Sequence, residues 1–70
     1  MPTRLTTPDV ILQAALQKEM QARDFYKDLA RQTSVTFVRE LLETLQDEES
    51  KHVHMIEGML ARLASGRNLG

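Results

Sequence analysis

No cysteine occurs among the 70 residues of the chain. Disulfides, thiolate metal sites and cysteine redox chemistry are therefore excluded. Any metal bound by this chain would have to use carboxylate oxygens and imidazole nitrogens as its ligands.

Basic residues are not in excess either. The chain has nine lysines and arginines and ten acidic residues, which gives a formal net charge of −1. Aromatic rings that could stack on bases are few, and no basic tract could follow a phosphate backbone, so we expect no nucleic-acid partner. The N-terminus lacks the apolar core of a signal peptide, and no uninterrupted apolar run approaches membrane-spanning length. The sequence therefore favours a soluble, cytoplasmic protein without a membrane partner.

The first strong pattern is a helix expected from about Pro8 to about Arg31. Thr7 offers a hydroxyl cap, Pro8 suits the first turn, and Asp9 lies at the positive end of the helix dipole. One face carries a stripe at helical spacing. Its members are Leu12, Ala15, Leu16, Glu19, Ala22, Tyr26, Leu29 and Ala30.

A second helix is expected from about residue 36 to about residue 65. The residues from Gln32 to Thr36 suit a tight connection, and we place the turn near Ser34. Gly66 is predicted to end this helix, leaving a short tail from Arg67 to Gly70. The stripe of the second helix consists of Val38, Leu41, Leu42, Leu45, Glu49, His52, Val53, Ile56, Met59, Leu60 and Leu63. With no repeat or second domain in view, the fold class is all-α: one domain, residues 1–70, forming an antiparallel helical hairpin.

Three metal-ligand residue types interrupt these apolar stripes: Glu19, Glu49 and His52. An ionised carboxylate in an apolar stripe is costly unless a cation or a donor meets it. Glu19 and Glu49 lie fifteen positions on either side of Ser34, so folding the chain there brings them to the same height. His52 follows Glu49 by three residues and shares its helix face. The three residues therefore look like half of a metal site.

The other half is expected from a second copy of the chain. A hairpin of this length covers little of its own surface, and chains of this size usually need a staple or a partner. Two hairpins related by a two-fold axis would form a four-helix bundle with four glutamates and two histidines at its centre. Four negative charges would balance two divalent cations. One glutamate from each of two helices and a Glu-x-x-His from each of the others is the ligand arrangement of di-iron carboxylate bundles.

The sequence also resembles the rubrerythrins and other ferritin-like proteins. The stretch from Glu19 to Tyr26, with alanine three residues on and tyrosine seven on, is similar to their first ligand helix, and Glu48-Glu49-Ser50-Lys51-His52 is similar to their Glu-Glu-x-x-His helix. The resemblance extends from about Ile11 to about Leu60, which is one of the two hairpins in a rubrerythrin domain. It is closest to half-length proteins such as the encapsulated ferritins.

This resemblance implies a homodimeric, ferritin-like four-helix bundle that binds Fe(II) between its subunits and oxidises it with dioxygen. Glu19, Glu49 and His52 would be the metal ligands and catalytic residues of this ferroxidase, with two iron ions per dimer; manganese suits the same ligands. Tyr26 would donate a hydrogen bond to one of the metal ligands or act as a redox neighbour, or it would serve only as a core tyrosine. An encapsulin shell is an implied partner, although Arg67–Gly70 does not resemble a shell-targeting peptide. Lys18 and Gln21 stand where encapsulated ferritins tend to carry further acids.

Two other functions fit the same residues. The chain could be a structural hairpin that dimerises through its apolar stripe, with the polar residues fixing the register. Alternatively, the metal could only cross-link the subunits, with tight binding and no oxygen consumption. Peroxide reduction of the rubrerythrin kind would need a rubredoxin-like cysteine site, which this chain lacks.

Overall fold

Two long helices joined by a three-residue connection make up the fold. The computed structural model describes residues 7–69, and the side chains of residues 7–66. Helix α1 spans Pro8–Gln32 and helix α2 spans Thr36–Leu69. The two helices pack against each other along their length as an antiparallel hairpin. The predicted all-α fold is confirmed, and no strand occurs among residues 7–69.

Helix α1 starts at Pro8, with Thr7 as its N-cap residue in an extended conformation. The prediction that the Thr7 hydroxyl caps the helix is wrong, because its side chain makes no capping hydrogen bond. The Thr7 carbonyl instead accepts a hydrogen bond of 3.1 Å from the Ile11 amide. Asp9 lies in the first turn and Arg31 in the last, where each charge complements the helix dipole.

The connection consists of residues 33–35, centred on the predicted turn residue Ser34. The Val35 amide donates to the Thr33 hydroxyl at 3.2 Å, so that a side chain satisfies a backbone group within the turn. The guanidinium of Arg39 donates to the Thr33 carbonyl at 3.2 Å, which ties the first turn of α2 to the end of α1. These contacts fix the height at which the two helices pass each other.

Helix α2 continues past its predicted end. Gly66 does not stop it, and the backbone stays helical to Leu69. Glycine favours a helix end only where the chain adopts a left-handed conformation after the last turn, and nothing in the local sequence demands that turn here. Gly70 and the side chains of residues 67–69, which belong to the predicted tail, lie outside the described part, as does the N-terminal segment of residues 1–6.

The hairpin is a single layer of helices. It measures 52 Å along its length and 12 Å through its thickness, and 12 Å is about the diameter of one helix with its side chains. Among the described residues only Ala30 and Val53 are buried. The stripes predicted to be buried are thus mostly half-buried within one hairpin. None of the helices in residues 7–69 is long and apolar enough to cross a membrane.

One broad side of this layer, which we call the open face, carries large exposed apolar side chains. Ala30 and Val53 lie on the flanks where the helices meet, and the opposite flanks of the two stripes both point to the open face. By helical position, the exposed apolar residues on this side are Ile11, Phe25, Phe37, Leu41, Met55 and Met59. Apolar surface of this extent on a small chain marks an interaction site.

Candidate metal centre

The hairpin brings Glu19, Glu49 and His52 together near the middle of its length. The Nδ1 atom of His52 lies 3.0 Å from an oxygen of Glu19 and 3.2 Å from an oxygen of Glu49. One ligand atom from each residue lies within 4.8 Å of the other two. Glu19 reaches the group from α1, whereas Glu49 and His52 project from adjacent turns of α2. The juxtaposition expected from the spacing about Ser34 is therefore present.

The three side chains are partly shielded from solvent on the inner side and reachable on the outer side. The exposed fraction is 20% for the Glu49 side chain, 30% for Glu19 and 49% for His52. The exposed fraction thus increases from the line of contact between the helices toward the open face. An ion at this group would thus meet the carboxylates inside and the imidazole at the rim.

No lysine or arginine within residues 7–66 forms an ion pair with either carboxylate. Arg23, the nearest basic candidate on the sequence, pairs with Asp24 at 3.2 Å. Lys51 pairs with the exposed Glu48 at 3.7 Å. His52 is consequently the one cationic partner that Glu19 and Glu49 share in this part of the chain.

The pKa values of the three residues are shifted in different directions. Hydrogen bonds from Glu49 and then from His52 lower the pKa of Glu19 below its ordinary value. The Glu19 carboxylate, followed by loss of solvent, raises the pKa of Glu49. Hydrogen bonds to Glu19 and Glu49 raise the pKa of His52 above its ordinary 6.5. Without a metal, Glu49 and His52 hold protons more tightly than isolated side chains do, and a divalent cation would compete with these protons.

Metal binding at this group is therefore expected to depend on pH. A metal ligand must be deprotonated, and the pKa of His52 is raised, so affinity should increase as the pH rises through and above 6.5. At a pH where His52 is still protonated, metal binding should release its proton. Titration of the apo-protein with Mn(II) between pH 6 and 8, in buffers of different ionisation enthalpy, measures both quantities. An affinity that does not change with pH would contradict the assigned ligands.

The donor set fits a divalent first-row metal but is incomplete in one chain. Carboxylate oxygens and imidazole suit Fe, Mn and Zn, and no softer ligand is available. Three protein donors leave an octahedral ion half coordinated. Because the group faces the open face, further donors could reach it from a second chain without rearrangement of the hairpin.

The other residues singled out in the sequence lie outside the group. Tyr26 is half-buried, and the centre of its ring lies 5.7 Å from that of Phe25. Within residues 7–66 no hydrogen bond joins it to Glu19, Glu49 or His52. The side chain of His54 is 82% exposed, and its Nδ1 atom lies 3.7 Å from an oxygen of Glu57. Glu48 is exposed and paired with Lys51.

A surface groove that the sequence reasoning missed leads to Glu19 from the side of α1. It is lined by Lys18, Gln21, Ala22 and Phe25 in addition to Glu19 itself. Phe25 lies at the flank of the apolar stripe, and an aromatic residue at such a flank is the signal that could have pointed to it. Lys18 places a positive charge on the groove wall, which makes this route unfavourable for a cation.

Comparison with known proteins agrees with the geometry. The family model described as Rubrerythrin matches residues 10–70, which include nearly all of both helices and all three residues of the group. No curated protein and no solved structure matches the chain significantly. The resemblance seen in the two ligand motifs is thus borne out at the level of the family, and the single hairpin is consistent with a half-length ferritin-like protein. The chain belongs to the rubrerythrin family.

Proposed function

We propose that two copies of this chain bind a pair of Fe(II) ions between their open faces and oxidise them with dioxygen. The observation that carries the proposal is the group formed by Glu19, Glu49 and His52, whose two carboxylates share no lysine or arginine within residues 7–66. The family match supports an iron-related redox function of this kind. Fe(II) is the substrate, and each ion gives one electron to dioxygen.

The charge of the proposed ligands suits the binding of two divalent ions. Two chains supply four carboxylates, and four negative charges balance two divalent ions, as in di-iron carboxylate bundles. Glu19 and Glu49 hold the cations by charge, while His52 contributes a neutral ring nitrogen once its proton has left. An Fe(III) product is bound more strongly by carboxylates than Fe(II) because of its higher charge, which favours loss of the electron at this site.

The apolar surroundings complete the arrangement. Val53, which follows His52 in the sequence, is buried, and the apolar residues of the open face would exclude water once a second copy covers them. In a less polar environment, the attraction between carboxylates and metal cations is stronger than in water. The protein's part in the reaction is positioning and charge compensation, and none of these side chains need act as a nucleophile.

Oxygen uptake on addition of Fe(II) to the apo-protein tests this function. We expect consumption of dioxygen in proportion to the iron bound, together with the appearance of ferric absorbance. Tight binding of iron without oxygen uptake would identify a metal site that only cross-links subunits. Failure to bind iron, with the dimer intact, would leave a structural dimerisation module.

A further inference from the structure

A groove of about 400 Å³ lies beside the turn of the hairpin, and we call it the basic groove. Its polar lining consists of Lys27, Arg31, Thr33, Arg39, Glu43 and Gln46. Lys27 and Arg31 belong to the last two turns of α1, whereas Arg39 lies in the first turn of α2. The groove thus collects three cations and one carboxylate, although the whole chain has a formal net charge of −1.

The basic groove is separate from the metal group. Lys27 lies eight residues from Glu19, which is roughly 12 Å along α1 at about 1.5 Å per residue. Arg39 lies ten residues from Glu49, which is roughly 15 Å along α2. Lys27 is also two residues from Phe25 of the open face, and side chains two residues apart on a helix point to different sides. An anion held by these cations would therefore lie away from both the metal group and the open face.

The three cations of the basic groove form no ion pair within residues 7–66. In this part of the chain, the lysine and arginine ion pairs are those of Arg23 with Asp24 and of Lys51 with Glu48. Glu43 lines the groove as well, yet it pairs with none of the three cations. The charge of these cations is thus available to a ligand.

Arg39 is held in place beside the turn but keeps donors for a ligand. Its guanidinium donates to the Thr33 carbonyl at 3.2 Å, and this is the only hydrogen bond that the Arg39 side chain makes within residues 7–66. A guanidinium has five N–H donors, so four remain. An anion in the groove would meet a guanidinium whose position is already fixed by the turn.

This arrangement of cations is unfavourable for the hairpin unless an anion binds. Lys27 and Arg31 are four residues apart, and like charges at that spacing destabilise a helix. Arg39 lies at the positive end of the α2 dipole, where a cation is unfavourable, and residues 36–39 include no acid that would compensate it. Arg31 alone suits its helix, because it lies in the last turn of α1.

We infer that the basic groove binds a phosphate-class oxyanion, either inorganic phosphate or the phosphate group of a small monoester. Guanidinium groups match phosphate oxygens in a two-point contact, and Arg31 and Arg39 supply one such group from each helix. Lys27 adds a compact third charge. The groove is larger than a phosphate ion, so a small organic group has room beside it. The bound anion would link the end of α1 to the start of α2.

Titration calorimetry of the metal-free protein with inorganic phosphate, at constant ionic strength, tests the inference. We expect one phosphate per chain with a Kd of about 1 mM or tighter. Lys27→Gln should weaken binding by about tenfold, because it removes a charged hydrogen-bond donor to the anion. Lys51→Gln makes the same change at an exposed lysine that pairs with Glu48, and it should bind within about twofold of the unmodified protein.

Removal of the groove's carboxylate should have the opposite effect. Glu43→Gln is expected to tighten phosphate binding by about threefold, since it removes the one negative charge among the lining residues. Glu40→Gln is the matched control, because Glu40 is an exposed glutamate of the same helix that does not line the groove. A misfolded variant cannot gain affinity, so this comparison holds even if Lys27→Gln fails to fold.

Replacing inorganic phosphate by glycerol phosphate identifies the source of the anion. Tighter binding of glycerol phosphate would assign a small phosphate monoester, whereas equal or weaker binding would assign inorganic phosphate, and both results support the site. Binding that does not saturate by about 10 mM phosphate would overturn the inference. So would equal affinity for succinate, or equal changes in each variant and its control, because either result means that general charge attracts the anion. No iron is needed, so the result is independent of Fe(II) oxidation.

Discussion

Replacing Glu49 by alanine is expected to lower the rate of Fe(II) oxidation by about 100-fold or more, because loss even of groups that only support metal ligands costs 10–100-fold. In the proposed two-copy site the change would remove two of four carboxylates, so the remaining charge would no longer balance two divalent ions. The hairpin itself should persist, since it no longer has to hold an ionised carboxylate whose pKa is raised by the hydrogen bond with Glu19 and then by loss of solvent.

Glu48→Ala is the matched control for this variant. Glu48 is the neighbouring glutamate on the same helix, but it is exposed and pairs only with Lys51 at 3.7 Å. The control alters net charge and helix composition in the same way and should retain oxidation within about twofold of the unmodified protein. Stopped-flow absorbance with oxygen uptake measures both variants. Equal losses in the two would mean that general charge, and not the group at the open face, governs the reaction.

A second large effect is expected on assembly. Met59→Glu should weaken the dimer by at least about 100-fold in Kd, because each interface would contain two carboxylates whose removal from water costs several kcal/mol apiece. Met59 is 47% exposed in the single hairpin, so the substitution should leave the helices intact. Its position on the open face is what makes the charge costly.

Val10→Glu provides the comparison. Val10 has nearly the same exposure, 44%, but lies on the opposite side of α1 from Glu19. A charge there should remain in water and leave the dimer unchanged. Sedimentation equilibrium over a range of concentrations compares the two variants. If Met59→Glu remained dimeric at the concentrations where the unmodified protein is dimeric, the open face would not be the interface.

Much of the fold follows from periodicity. The two stripes and the turn at Ser34 are readable because apolar residues recur at helical spacing and the connection is rich in hydroxyl side chains. The end of α2 cannot be predicted from periodicity. Gly66 permits a helix end without requiring one, and the outcome depends on backbone contacts that a local pattern does not encode. Nor could the sequence show that the Thr7 hydroxyl makes no capping hydrogen bond, since this depends on the rotamer of its side chain.

The metal group could be predicted from the sequence because its two glutamates are spaced symmetrically about the turn. Glu19 and Glu49 are equidistant from Ser34, and a fixed rise per residue turns equal separations into equal heights. The sequence could not predict that Nδ1 of His52 contacts both carboxylates, since that depends on the rotamers of three side chains. The length of the chain did indicate that one hairpin covers little of its own surface, and Ala30 and Val53 are the buried residues among those described.

The central claim is that two hairpins together hold two iron ions. Anaerobic titration of the apo-protein with Fe(II), with the mass of the complex followed in solution, tests it most directly. The account predicts saturation at two ions per dimer, with no binding to a monomer and with binding lost in Glu49→Ala. Saturation at one ion per monomer, or no stoichiometric binding by an intact dimer, would contradict it.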